Sequence, residues 1–498
     1  MSGVRDHLLG PRAKRGLFGY LSVGQVAIGG CAGAAAIVVV AAWPTIPGLL
    51  AAIAIAMAGA TGMMMTIQSL PVTHWVPSSL VFVVERLAGR RVWRSPVPGS
   101  GVTAERPVRP VALPPQFGQL EIVSVGGADG RQAGMTYDRE RNCLVGVLEL
   151  RLQAFGLRDV AEQDRQLETI GTLENDLARP GSPVRRMMFL RRTTPQQASE
   201  MASYLRKKLA KPVGCGPVQA MLGAMDSTAT GSQEHVLYMG VQTSAVPRDR
   251  RRGEKREQER ERAGEAGVRE LERVNRYLQM SEITVKSPAA VLTPTDLSYL
   301  YADLCDPFER RLLDQLRLRD GARDPRPWPL ALDDGWPFVR LDGADHVVWW
   351  IPEWPPVPVQ AGWWQALTLQ CEAPIVTIAV VCEPVPIRQA RAQARRRLTG
   401  DRADIETRAK HQMVETSQDR ARRWQGEREE QELAEGSSPW RYEAFIAAAV
   451  PAGAGEQRRL VRDQVEAACV QAGLVPAFMY GLQLDHFLCT LPLCRGMR

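Results

Sequence analysis

Residues 16–84 read GLFGYLSVGQVAIGGCAGAAAIVVVAAWPTIPGLLAAIAIAMAGATGMMMTIQSLPVTHWVPSSLVFVV, without a single Asp, Glu, Lys or Arg. No element of a water-soluble core runs that long uncharged, so this stretch decides the architecture. Trp43-Pro44-Thr45-Ile46-Pro47-Gly48 divides it. Two prolines and a glycine break a helix there, and tryptophan suits the edge of a bilayer. Two spans result, Leu21 to Trp43 and Leu49 to Ile67. Each has the roughly 20 residues that cross about 30 Å of hydrocarbon at about 1.5 Å per residue. A secretory signal has one short apolar region and a cleavage site, so the paired spans read as a retained anchor.

Charges on either side orient this hairpin. Arg5, Arg12, Lys14 and Arg15 precede it, and Arg86, Arg90, Arg91 and Arg94 follow it. Positive flanks stay on the cytoplasmic side, so both termini are expected there, in a multi-pass protein of the inner (plasma) membrane whose first partner is the lipid bilayer. Gly29, Gly30, Gly33 and Ala34 to Ala36 give the first span a small-residue face. Packing within the hairpin is the favoured use of that face, with packing on a partner's helix the alternative. Trp75 to Val84, followed by the Arg cluster, fits an interfacial helix with snorkelling arginines. Prolines at 96, 98, 107, 110, 114 and 115 make Ser95 to Pro115 an extended linker.

Beyond Phe117 short β-branched runs alternate with helical patterns. Gln119 to Val125 and Cys143 to Leu150 read as strands around the polar turn Asp138-Arg139-Glu140-Arg141. A helix follows, with Asp159 as N-cap, Glu162 at the capping-box position and Leu167, Ile170, Leu173 and Leu177 in one stripe. Then come a strand Val184 to Leu190, a helix Pro195 to Leu209, a strand His235 to Thr243 and a charged helix Arg248 to Met280. Thr293-Pro294-Thr295-Asp296 starts a bridging helix that runs through about Leu304. The second half carries strands Val347 to Ile351, Ile375 to Val381 and Tyr442 to Val450, and a long charged stretch from Pro386 to Glu435. A helix Glu456 to Ala472 and terminal strands Val475 to Tyr480 and His486 to Leu491 end it. The two halves echo one another: MMFLRRTTP at 187–195 answers VTIAVVCEPVP at 376–386, and VLYMGVQTSAVP at 236–247 answers AFIAAAVPAG at 444–453.

The expected fold is therefore α+β: an amino-terminal two-helix transmembrane hairpin and a cytoplasmic body of two ferredoxin-like α/β sandwich domains with long charged helices. The expected divisions are a basic tail (1–20), the hairpin (21–67), an interfacial segment and linker (68–115), a first α+β domain (116–290), bridging helices (291–330) and a second α+β domain (331–498).

For chemistry the sequence offers little. No G-x-x-x-x-G-K-[ST] loop, GxGxxG, H-E-x-x-H or G-x-S-x-G occurs, so ATP binding in the phosphate-loop mode, metal hydrolysis and elbow-serine catalysis lack their residues. His7, His74, His235, His346, His411 and His486 are scattered, and read as ordinary core or surface residues. The nine cysteines contain no C-x-x-C pair. They read as reduced, packed thiols; Cys489 and Cys494 make no zinc site, and Cys215 in Gly214-Cys215-Gly216 reads as a packed or bystander thiol before a reactive one. No catalytic, cofactor-binding or metal residue is assigned, and no cofactor is expected. Only seven of the 62 Lys+Arg are lysines, and acidic residues interleave with them, so the net charge of +7 argues little for nucleic acid. Seven tryptophans fall between Trp328 and Trp364, which favours domain packing over a partner platform. Glu353, between Pro352 and Trp354, suits a local cap. Arg248 to Arg276 and Arg388 to Glu432 alternate sign, with pairs such as Glu265/Arg269, Glu272/Arg276, Glu406/Lys410 and Asp419/Arg423. Solvated helices explain them, and the second also suits an arm that docks on an oligomeric partner. Arg206, Lys207, Lys208 and Lys211 suit either a helix end or lipid headgroups.

In order along the chain, GPRAKRGLFG (10–19), NCLVGVLEL (142–150), AEQDRQLETIGTLENDLARPGSPVRRMMFLRRTTP (161–195), LTPTDLSYLYADLCDPFERR (292–311), WWIPEWP (349–355), VVCEPVPIRQARAQARR (380–396) and MYGLQLDHFLCTLPLCRG (479–496) carry a resemblance. The chain resembles a family of actinobacterial membrane proteins found with conjugative elements, whose soluble part is similar to the amino-terminal, non-ATPase region of the type IV secretion ATPase. The resemblance implies a non-enzymatic scaffold or accessory subunit of a conjugative DNA-transfer apparatus, beside a separate secretion or conjugation ATPase and other membrane subunits. Self-association and direct contact with DNA stay open. The two-span layout also looks like the type VII secretion component EccE, and a membrane-tethered enzyme with an unfamiliar site is the third alternative.

Overall fold

The computed structural model describes, in the main, residues 23–64, 70–96, 113–151, 159–195, 233–246, 256–283, 291–309, 326–355, 375–395 and 439–496. The basic tail, most of the Pro-rich linker, the expected helix at 195–209, the cluster at 206–211, Cys215 and most of the charged stretch 386–435 lie outside the described residues.

Two apolar helices come first, α1 (Val23–Ala42) and α2 (Ile46–Met64). The second begins earlier than expected because Pro47 sits in its first turn, where a missing N–H costs nothing. Then α3 (Val72–Leu87) leads into β1 (Val92–Arg94). A meander follows, β2 (Leu120–Gly126), β3 (Gln132–Asp138) and β4 (Cys143–Leu150). After it come α4 (Val160–Leu177), β5 (Val184–Pro195), β6 (Gln233–Ser244), α5 (Arg256–Met280) and α6 (Pro294–Cys305). The remainder carries β7 (Ala331–Asp334), β8 (Val339–Leu341), β9 (Ala344–Glu353), β10 (Val376–Pro384), β11 (Trp440–Pro451), α7 (Gly455–Gln471), β12 (Val475–Phe478) and α8 (Gln483–Thr490).

The chain is thus a mixed helix-and-sheet protein with an apolar helix near its start. Its strands do not divide into two sandwiches: among the described residues these twelve belong to one antiparallel sheet in the order β1-β7-β8-β9-β11-β10-β5-β6-β4-β3-β2, with β12 beside β9, and apart from it only Thr66–Ile67 and Leu70–Pro71 pair as a short ladder. The first run, read outward from the seam, is β5, β6, β4, β3, β2, and the second is β10, β11, β9, β8, β7. Both runs use their strands in the same order, a three-strand meander and then two strands laid inside it, which is not the ferredoxin-like β-α-β-β-α-β order. The echoing segments are β5 with β10 and β6 with β11. The seam pairs Val376 with Thr193 through Cys382 with Met187.

Alternation along the strands feeds two cores, so helices cover both faces of the sheet. On one face Leu144, Leu148, Met187, Ile378, Ile446 and Trp349 meet α4, α5 and α7. On the other, Val145, Met188, Leu190, Ala379, Val381 and Phe445 meet α6 and α8. The expected strand at His486–Leu491 is helix α8, since Leu484, Phe487, Leu488 and Leu491 recur at helical spacing and all are buried. At α4 the Asp159 side chain makes no cap bond; its backbone carbonyl takes the Glu162 and Gln163 amides at 3.0 and 2.9 Å. At α6 the expected box forms: Thr293 Oγ1 accepts the Asp296 amide and an Asp296 oxygen accepts the Thr293 amide, each at 3.2 Å.

Candidate membrane interface

Within α1, the eighteen-residue window Gln25–Ala42 has mean hydropathy 2.0 and only 6% of it is buried. A core helix of such composition would be covered by its own protein, whereas Ile37 and Val38 are 71% and 64% exposed. Among the described residues α1 alone is long and apolar enough to cross a membrane; the apolar part of α2, Ile46–Gly62, is shorter. The two helices pack on each other. Gly59 permits this, since a Cβ there would lie 2.1 Å from that of Ala32. A Cβ at Gly30 or Gly33, two residues of the small face read from sequence, would meet nothing within 4 Å, while Ala32 and Ile28 lie against Gly59 and Gly62 of α2. Thr61 turns its hydroxyl back to the Met57 carbonyl at 2.8 Å, which satisfies a polar group on an apolar helix.

The body holds α3 by one face. Trp75 and Phe82 are buried, and Phe82 meets Trp336 edge-on at 5.0 Å. Arg91, just past the helix, lies over the Phe82 ring at 4.5 Å. It ion-pairs with Asp334 at the end of β7, reaches Glu85 through Nε at 3.0 Å and donates to the Gly481 carbonyl at 3.1 Å. Gly481, at φ +70°, lets Trp336 pack against its backbone, where a Cβ would come within 2.6 Å of the ring. Burial pushes the Asp334 carboxyl up to about 7, against the pull of Arg91. Arg86 pairs with Asp333. The four arginines read from sequence as one positive flank therefore divide: Arg86 and Arg91 clamp α3 to the sheet, while Arg90 and Arg94 are exposed. Glu85 is a near neighbour, but Asp333 and Asp334 lie far along the chain, and no local signal announces them.

The remaining residues singled out by sequence go mainly to packing. Trp349 is fully buried with its indole 3.2 Å from Glu466, Trp328 meets Tyr301 at 4.8 Å, and Trp354, Trp363 and Trp364 pack on the edge of the core. The Glu353 side chain lies outside the described residues. On α5, Glu265 and Arg269 approach at 3.7 Å, and Arg273 joins α5 to Asp176 of α4. At the base of the second charged stretch Val385, Ala390, Ala394 and Leu433 form their own small cluster, so its two ends meet. Burial pushes the thiols of Cys143 and Cys489 up to about 11 and 12, which keeps them protonated.

One polar cavity has no signal in the sequence. Arg192, His346, Thr377 and Thr490 line a cavity of about 10 Å³ over Ala447 and Ala449, room for a single water. Arg192 lies 2.8 Å from Asp303, and His346 Nε2 donates to the Cys305 carbonyl at 2.8 Å. Burial holds that imidazole down at about 4, hence neutral. Among the described residues no group of three His, Cys, Asp or Glu side chains is placed to hold a metal. No protein-family model matches the chain, and no curated protein matches it.

Proposed function

We propose that the protein is a non-enzymatic scaffold or accessory subunit of a conjugative DNA-transfer, type IV secretion-like apparatus in the inner membrane. The hairpin crosses the bilayer twice with both termini cytoplasmic, and the body meets a separate ATPase. The observation that carries this reading is that α1, apolar throughout, is almost nowhere buried, beside a body whose apolar side chains mostly are. The arginine flanks support the orientation, and the ordered sequence similarities support the apparatus. The charged stretch whose ends meet at Ala390, Ala394 and Leu433 suits an arm that reaches a partner. The polar cavity beside Arg192 and His346, at about 10 Å³, has room for a single water and is too small for a substrate.

Affinity purification of the full chain in mild detergent tests this. Recovery with a phosphate-loop ATPase of a conjugation system is the expected result. Recovery of the protein alone counts against it, and recovery with a type VII secretion ATPase moves the assignment to the EccE-like reading. Protease protection in sealed vesicles places the carboxy-terminal body; a body outside the cell removes the contact with a cytosolic motor.

A further inference from the structure

We propose that the outer face of α3 is a second contact with the bilayer, lying in the plane of an anionic lipid surface, so that the body rests on the membrane as well as hanging from the hairpin. Five aliphatic side chains make this face. Val76, Leu80, Val83, Val84 and Leu87 recur at helical spacing and are 49%, 63%, 51%, 65% and 84% exposed. The opposite face carries Trp75 and Phe82 into the body. A helix apolar on both faces, clamped by one of them, needs a cover for the other.

Three features select lipid as that cover. The first is reach. Residues 65–71 separate α2 from α3 and span about 25 Å at full extension. Thr66–Ile67 pairs antiparallel with Leu70–Pro71, which shortens the path further. If α1 and α2 lie in hydrocarbon, α3 begins at its boundary; the proposal rests on that part of the functional reading. The second is chemistry: from Leu80 to Val84 the helix offers only aliphatic and aromatic side chains, so nothing on this face selects a protein's hydrogen-bonding groups. The third is the flank. Arg90 and Arg94 are exposed just beyond the helix, and Trp336, 37% exposed, stands beside it. Exposed cations and an aromatic next to an apolar stripe match the headgroup layer of a membrane containing acidic lipid.

Spin labels on the full chain, in vesicles of phosphatidylcholine and phosphatidylglycerol, test this, with Cys31, Cys215 and Cys371 replaced by Ser. Labels are placed through Leu80→Cys, Leu87→Cys, Ile37→Cys for the anchor and Leu460→Cys for the water-facing side of α7. The ratio of accessibility to oxygen over a water-soluble nickel chelate is expected to be several-fold higher at Leu80 and Leu87 than at Leu460. It should fall in vesicles of phosphatidylcholine alone. Nickel access at Leu80 and Leu87 with Ile37 in lipid overturns the proposal and leaves the anchor standing. Spin–spin broadening at Leu80 overturns it in favour of a second copy covering the face. Nickel access at Ile37 as well overturns both readings.

Discussion

Asp345, at the start of β9, ties β8 and the turn before α7 to the second run of strands. It is fully buried and accepts Arg340 Nε at 2.6 Å, Arg458 Nη1 at 2.5 Å and the Gly453 amide at 3.1 Å. Asp345→Ala leaves two partly buried cations and an amide without their acceptor, so it is expected to cost about 3 kcal/mol. Urea unfolding of the detergent-solubilised protein measures this, and a loss under about 1 kcal/mol would refute it. Glu174 of α4 makes a pH prediction. Burial pushes its carboxyl up to about 7, against a hydrogen bond from the Tyr442 hydroxyl. The folded state then holds a proton that the unfolded chain releases near 4.5, so stability falls as pH rises from about 4.5 to 7. Glu174→Gln keeps the Tyr442 bond and should flatten that slope, by on the order of 1 kcal/mol per pH unit, in melts between pH 5 and 7. An unchanged slope would assign the dependence elsewhere. At this scale the sequence is legible where partners are neighbours, as in the Thr293–Asp296 box. It is silent where they are not: nothing near Asp345 announces Arg458, and a capping pattern at Asp159 is spelled but unused.

Elements were legible when a single period dominated. The stripe of α4 and the long apolar segments of β10 and β11 announce themselves. By contrast β3 hides behind Gly134 and a polar composition, and β7 and β8 are three or four residues long. The apolar run of the last helix fits a strand as well as a short helix until the sheet beneath selects Leu484, Phe487 and Leu488 together. For α3 the sequence supplies an amphipathic helix and its positive flank but not the side that faces the protein. Arg91 decides that side. Arg91→Ala leaves Asp334 buried without its cation, so α3 and β1 should open more often. Amide exchange there is expected to accelerate about tenfold or more, while exchange in β4 and β6 stays unchanged. Unaltered exchange in α3 would mean that Phe82 and Trp75 hold the helix by themselves.

In the whole molecule, the duplication is written in the sequence and the seam is not. Equivalent strands appear at equivalent places in both runs, yet the same pattern serves two separate sheets or one continuous one. The hint is composition. VTIAVV in β10 and FIAAAV in β11 are apolar on both faces, and MMFL in β5 nearly so, as strands inside a doubly covered sheet must be. A shared sheet has a mechanical consequence that two sandwiches joined by a linker lack. Ala448 of β11 is fully buried and pairs with Val376 of β10, which in turn pairs with Thr193 of β5. An unpaired carboxylate at Ala448 carries a penalty of several kcal/mol in this core. In Ala448→Asp the destabilisation should pass across the seam, so that amide protection falls together in β10, β11, β5 and β6 and unfolding stays a single transition. Protection kept in β5 and β6 while β10 and β11 exchange freely would show that the two runs fold independently and only touch at their edges.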